Sequence, residues 1–200
     1  MHSSDSYHSL SSLPIGEGRL EVICGPMFSG KTEELLRRVR RSQIARLPTV
    51  LVKPAIDTRY AVGDVVSHDK NAMPSVVVEK ASDIMNVLEV EGRPALVVAI
   101  DEAQFFDDDL PRVCSELANK GMRVIVAGLD LDFNGVPFGS MPQLLALAEE
   151  VTKLHAVCVE TGRAAHFSHK ISGSDDTVEL GEKDKYIPLA RHAFVAARKK

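Results

Sequence analysis

Gly25-Pro26-Met27-Phe28-Ser29-Gly30-Lys31-Thr32 has the spacing G-x-x-x-x-G-K-[ST]. Glycines at those positions let successive backbone N–H groups turn inward around phosphate oxygens, where a Cβ would obstruct them. Lys31 supplies a cation at the β and γ phosphates, and the Thr32 hydroxyl is a hard oxygen ligand for Mg²⁺. Asp101 and Glu102 follow directly on an apolar run at 95–100, at the carboxyl end of a buried strand, where open parallel sheets place their ligands. Asp101 is expected to face the Mg²⁺ held by Thr32, through a metal-bound water. Glu102, on the other face, is positioned to accept a proton from a substrate hydroxyl. Asp107, Asp108 and Asp109 read as an N-cap cluster for the next helix, with Pro111 in its first turn.

These groups need a scaffold, and the apolar pattern supplies one. A short apolar strand at 20–24 feeds the glycine loop. A helix follows at 32–45, with Leu35, Leu36, Val39 and Ile44 at helical spacing, until Pro48 stops it. Strands are expected at 49–53, 64–68 and 75–79, then an amphipathic helix at 84–90. Residues 95–100, and 122–128 but for Arg123, are apolar, the pattern of strands buried on both faces. Helices at 110–120, capped by Gly121, and at 143–154 complete the alternation. The fold class is therefore α/β, a phosphate-binding parallel sheet flanked by helices over 19–154. Short strands and Gly/Ser/Asp turns mark a smaller mixed unit at 155–200. Residues 1–18 are Ser-rich and lack an apolar core, so they read as a disordered tail and not a signal peptide.

The composition narrows the class. At 200 residues, 44% hydrophobic and 26% charged, the chain can bury a core. A formal net charge of −4 argues against nucleic acid as a partner. Arg37, Arg38, Arg40 and Arg41 read as a solvated helix face, and Arg198, Lys199 and Lys200 as a solubilising tail. Cys24, Cys114 and Cys158 form no disulfide framework and fit a reducing cytoplasm; no run is long enough to span a membrane.

Five blocks in order give these residues a likeness. They are the loop at 25–32; Lys53-Pro54 ahead of Asp57-Thr58-Arg59-Tyr60; Asp101-Glu102-Ala103-Gln104-Phe105-Phe106; Gly128-Leu129-Asp130 with Phe133 and Pro137-Phe138-Gly139; and Asp184-Lys185-Tyr186. Together they resemble the cytosolic type II thymidine kinase family of bacterial type. The resemblance implies transfer of the γ-phosphoryl of ATP to the 5′-hydroxyl of thymidine, with Mg²⁺, in pyrimidine deoxynucleotide salvage. It makes Glu102 the base, Arg59 a stabiliser of the transferring group, and Asp57 the holder of the deoxyribose 3′-hydroxyl. It assigns Gly25, Pro26, Met27, Phe28, Ser29, Gly30, Lys31, Thr32, Asp101 and Gln104 to the nucleotide. Met27, Phe105, Leu129, Phe133 and Phe138 would wall the base pocket. A lasso from Ser168 to Tyr186 would close over it, reading thymine by main-chain groups at Thr177, Glu179 and Gly181. The resemblance also implies feedback by thymidine triphosphate and a homotetramer.

The chain departs from that family at its zinc site. Relatives carry two pairs of Cys or His ligands, whereas here only Cys158 remains: Thr161, Ala190 and Ala193 stand at the other three positions. One thiol cannot hold structural zinc, so zinc is expected to be absent. His155, His166, His169 and His192 read as surface or packed residues, not a substitute site. The stretch 193–197, with Phe194 and Val195, is expected to supply packing instead. Three competing functions are weaker. A helicase-like ATPase suits the Asp-Glu-Ala-Gln string but not the length or charge. A GTP switch lacks Asn-Lys-x-Asp, since Asn119-Lys120 is followed by Gly121-Met122. A non-catalytic nucleotide binder would have no use for Glu102.

Overall fold

The computed structural model describes residues 17–55, 64–66, 72–172 and 185–199. β1 (Arg19–Cys24) runs into the glycine loop, and α1 (Lys31–Ile44) leaves it. β2 (Thr49–Pro54), β3 (Asp64–Val66), β4 (Ala72–Pro74) and β5 (Val76–Val78) follow, then a 3-10 turn at Ala81–Asn86. Next come β6 (Glu89–Val90), β7 (Arg93–Pro94), β8 (Val97–Ile100), a 3-10 turn at Ala103–Phe105, and α2 (Leu110–Asn119). The rest of the sheet layer is β9 (Arg123–Gly128), α3 (Met141–Leu147) and β10 (Glu150–Lys153). β11 (Ala156–Val157), β12 (Ala164–Ala165), β13 (Phe167–Lys170), β14 (Tyr186–Leu189) and α4 (Arg191–Ala197) end the described chain.

The main sheet is parallel, in the order β10-β1-β9-β8-β2-β5. Its side chains alternate between two cores. Leu20, Val22, Val124 and Val126 pack with Leu110, Val113 and Leu117 of α2 and with Met141 and Leu144 of α3. Ile23, Ile125 and Ala127 pack with Leu35, Leu36 and Val39 of α1 on the opposite face. Covered on both sides, the sheet leaves its strand tips as the place where a polar site can open. α2 ends as expected at Gly121 (φ 87°): Gly121 N–H donates to Ala118 O at 2.9 Å and Met122 N–H to Leu117 O at 3.2 Å, the paired bonds of a Schellman cap.

Several elements differ from the expectation. Residues 84–90 are no helix; the 3-10 turn gives way to a hairpin of β6 and β7. Its two-residue turn, Glu91-Gly92, has φ of 51° and 72°, the positive-φ pair of a type I′ turn, which outweighs the helical spacing. The helix expected at 143–154 is α3, ending at Leu147, and β10 occupies 150–153. Tertiary pairing decides this: Glu149 N–H donates to Leu20 O at 3.0 Å, and Leu20 N–H donates to the Glu149 carboxylate at 2.6 Å. β-branched Val151 and Thr152 then continue as an edge strand. Asp109 occupies the N-cap of α2 without a side-chain cap bond and pairs with Arg112, while Asp107 accepts from Asp109 N–H and Ala81 N–H. Arg38 does not lie on a solvated face. It is 6% exposed and binds Glu21 in the interior, with Arg123 and Arg19 on the same carboxylate.

After β10 the core changes. Ala156, Cys158, Ala165, Phe167, Leu189, Ala190, Ala193 and Phe194 form a separate apolar cluster, against which Phe28 and Leu131 pack. Phe167 and Phe194 stack with ring centroids 4.4 Å apart. Val195, expected to join this packing, is 46% exposed, because it lies on the outer side of α4.

Candidate active site

The glycine loop sits at the tip of β1 between the tips of its neighbours. Gly25 has φ 140°, and a Cβ there would lie 2.3 Å from Leu154 O, so the loop can approach β10 only through a glycine. Gly30 (φ 85°) and Phe28 (φ 66°) also occupy left-handed backbone. Lys31 Nζ donates to Pro26 O at 2.9 Å, folding the ammonium back over the loop. Burial pulls its pKa down, and the carboxylates of Glu102, Asp101 and Asp130 oppose that shift. Three acids, two at the tip of β8 and one beyond β9, therefore favour the charged form of the loop lysine.

Asp101, buried at the tip of β8, accepts from the Thr32 hydroxyl at 3.3 Å and from Glu102 N–H at 3.0 Å. An alcohol and a carboxylate oxygen side by side are a donor set that fits Mg²⁺, which takes few protein oxygens and keeps several waters. Glu102 has φ 51°, a strained conformation for a residue with a Cβ. Its carboxylate accepts from Gln104 Nε2 at 2.6 Å.

The expected pocket walls lie around the same tips. Phe105 and Phe138 meet edge to face with centroids 5.7 Å apart. Leu129 N–H donates to Gln104 Oε1 at 2.9 Å. Ser168 on β13 accepts from Met27 N–H at 2.9 Å, tying the loop to the second cluster. Tyr186 is buried on β14 opposite Lys170, whose ammonium stands 5.0 Å from the Phe133 ring centre and 6.0 Å from that of Tyr186. Asp57, Arg59, Thr177, Glu179 and Gly181 lie outside the described residues.

Asp130 carries more of the site's charge than the sequence reading allotted to it. It is buried beyond the tip of β9, with Lys153 Nζ at 2.7 Å from one oxygen. The other oxygen, like Ser29 Oγ, is buried without a hydrogen-bond partner among the described residues. An acid closely following the apolar run 122–128 repeats the pattern at Asp101, and that was the available signal. Burial, then Asp130, pushes the Cys24 thiol up to about 11.

The zinc positions hold a different chemistry. Cys158 is buried; burial pushes its thiol up, while hydrogen bonds from Thr161 and from the backbone of Ala190, Glu160 and Thr161 bring it below its ordinary value. Ala190 and Ala193 belong to the apolar cluster beside it. One sulfur among an alcohol and two methyl groups does not fit structural zinc. The His155 and His166 rings meet edge to face with centroids 4.4 Å apart, and no group of three or more His, Cys, Asp or Glu is arranged for a metal among the described residues.

A parallel sheet with a glycine-rich loop between β1 and α1, and a strand-tip acid on the loop threonine, defines a P-loop α/β protein. The thymidine kinase family profile matches residues 18–194. The chain is 55% identical over 181 residues to a thymidine kinase of Bacteroides fragilis (strain YCH46), covering 90% of this chain and 88% of that one. It is 53% identical over 180 residues to a Porphyromonas gingivalis (strain ATCC 33277) thymidine kinase, covering 90% and 86%. Against a Rhodothermus sp. (strain ITI 518) thymidine kinase it is 51% identical over 181 residues, covering 90% and 83%. The chain belongs to the thymidine kinase family. No helix among the described residues is long and apolar enough to cross a membrane.

Proposed function

We propose that this chain transfers the γ-phosphoryl group of ATP to the 5′-hydroxyl of thymidine, giving thymidine 5′-monophosphate and ADP in pyrimidine deoxynucleotide salvage. The observation that carries the reading is the meeting of Lys31, Thr32, Asp101 and Glu102 at adjacent strand tips in a chain of this family.

The backbone of residues 25–30 cradles the phosphates, and Lys31 turns from Pro26 O to the β and γ oxygens. Thr32 and Asp101 would hold Mg²⁺, which when bound would neutralise charge on the phosphates. Glu102 takes the 5′-hydroxyl proton as that oxygen bonds to the γ phosphorus and the bond to the β-bridging oxygen breaks. By likeness to the family, Arg59 stabilises charge on the transferring group and Asp57 holds the 3′-hydroxyl. Met27, Phe105, Leu129, Phe133 and Phe138 enclose the base, and by likeness to the family Ser168, Thr177, Glu179, Gly181 and Tyr186 contribute to binding it. The separate apolar cluster after β10 supports treating 155–200 as a small unit of its own. Feedback by thymidine triphosphate, a homotetrameric assembly and a cytoplasmic location complete the reading and follow from the likeness to the family.

Glu102→Gln keeps the shape and removes the base. Turnover is expected to fall about 10²–10⁴-fold, with ATP affinity within a few-fold of wild type. Undiminished turnover removes Glu102 from the reaction.

A further inference from the structure

Gln104 is 3% exposed, on the 3-10 turn just beyond β8. Its two amide ends face different parts of the site. Leu129 N–H can only donate, so the atom 2.9 Å from it must be the amide oxygen. The amide nitrogen is thereby directed to Glu102, where it donates to Oε2 at 2.6 Å. The flip of this amide is fixed by its partners.

Two glycines make room for this arrangement. A Cβ on Gly128 would lie 2.9 Å from Gln104 Oε1, and one on Gly139 would lie 2.6 Å from Gln104 O. Both are closer than side chains tolerate, so β9 and the 137–139 segment close around Gln104 only without side chains there. Glu102 meanwhile sits in left-handed backbone at φ 51°, a strained conformation that the surrounding contacts must hold.

We infer that Gln104 is a positioning residue for the reaction, one that aims the Glu102 carboxylate and locks it to Leu129 in the base-pocket wall, instead of contacting the nucleotide. The inference rests on the reading of Glu102 as the base. Such a residue acts on the chemical step through Glu102 and leaves the ATP side of the site alone.

The test uses the full chain and steady-state kinetics in both substrates, for Gln104→Glu and Gln104→Met, each made in wild-type and Glu102→Gln backgrounds. Gln104→Glu keeps an oxygen for Leu129 and turns the Glu102 donor into a repelling carboxylate. It is expected to lower kcat at least about tenfold with KM for ATP within twofold. Gln104→Met loses both bonds and is expected to lower kcat and raise KM for thymidine. On the Glu102→Gln background, Gln104→Glu is expected to cost less than about twofold more, because the group it acts through is gone. An equal loss in both backgrounds overturns the inference in favour of plain structural damage. A raised KM for ATP at unchanged kcat overturns it in favour of a nucleotide contact. If Glu102→Gln alone leaves turnover intact, the base assignment fails with it, and that arm is read before any Gln104 variant.

Discussion

The Thr32 hydroxyl and the Asp101 carboxylate lie 3.3 Å apart, across the junction of two strands that adjoin β9 rather than each other. Deleting that hydroxyl by Thr32→Val leaves shape nearly constant and removes a hard oxygen from the cation's side of the loop. The half-saturating Mg²⁺ concentration for turnover is expected to rise by about 10–100-fold, the size of effect seen when support to a metal site is lost. Magnesium titration at saturating ATP measures it; an unchanged requirement puts the cation elsewhere. The placement of Lys31, Thr32, Asp101 and Glu102 at one site was legible because phosphate chemistry needs those residue types at fixed offsets from apolar runs. Gln104 and Asp130 were not legible in the same way. Their partners, Leu129 and Lys153, are 25 and 23 positions away in the chain, and only the folded sheet brings them together.

At the scale of elements, Glu21 holds α1 and β9 to β1. Arg38 Nη1 reaches Glu21 Oε2 at 2.7 Å, Arg123 Nε reaches Oε1 at 2.6 Å, and Arg19 Nη2 reaches Oε1 at 2.6 Å. Burial alone would raise this carboxyl, but Arg123, Arg19 and Arg38 hold it below its usual value of 4.5. Its folded pKa is therefore depressed, so its contribution to stability is complete above about 4.5 and is lost as pH falls through the lower folded value. Glu21→Gln strands buried arginines and is expected to cost about 3–5 kcal/mol at neutral pH, and to flatten the stability profile below pH 4.5. Urea unfolding from neutral to acid pH measures both. A neutral variant makes the cluster incidental. Strand and helix order in the sheet was readable from apolar runs such as 95–100 and 124–128; the charged Arg123 at the start of β9 gave no sign of its buried partner Glu21, 102 positions away. The hairpin at Glu91-Gly92 and the edge strand β10 were hidden, the first behind helical spacing and the second because its partner, β1, is remote in sequence. Gly25→Ala tests the loop's seat: with φ 140° and Leu154 O only 2.3 Å from a new Cβ, nucleotide affinity is expected to drop at least about tenfold while the fold persists. Calorimetric titration with ATP checks it.

For the whole molecule, the second apolar cluster decides how the last part of the chain holds together. Stacked Phe167 and Phe194 share one apolar cluster with Cys158, Ala190 and Ala193. Purified protein is expected to contain far less than one zinc per chain, and a chelator is expected to leave its melting temperature unchanged. Stoichiometric zinc, or a chelator-sensitive melt, contradicts this packing account. That expectation comes from residue identity at Thr161, Ala190 and Ala193. The packing of the stretch 193–197 was legible only in part, since it sends Phe194 inward and Val195 out.

All of these scales meet in one reaction. Incubating the chain with γ-labelled ATP, Mg²⁺ and a panel of nucleosides, then separating the products, tests it most directly. The expected result is label on the 5′-oxygen of thymidine, matched by ADP, and abolished or nearly so in Glu102→Gln. Label released only as inorganic phosphate, or transferred to nucleosides other than thymidine and never to it, would contradict the account.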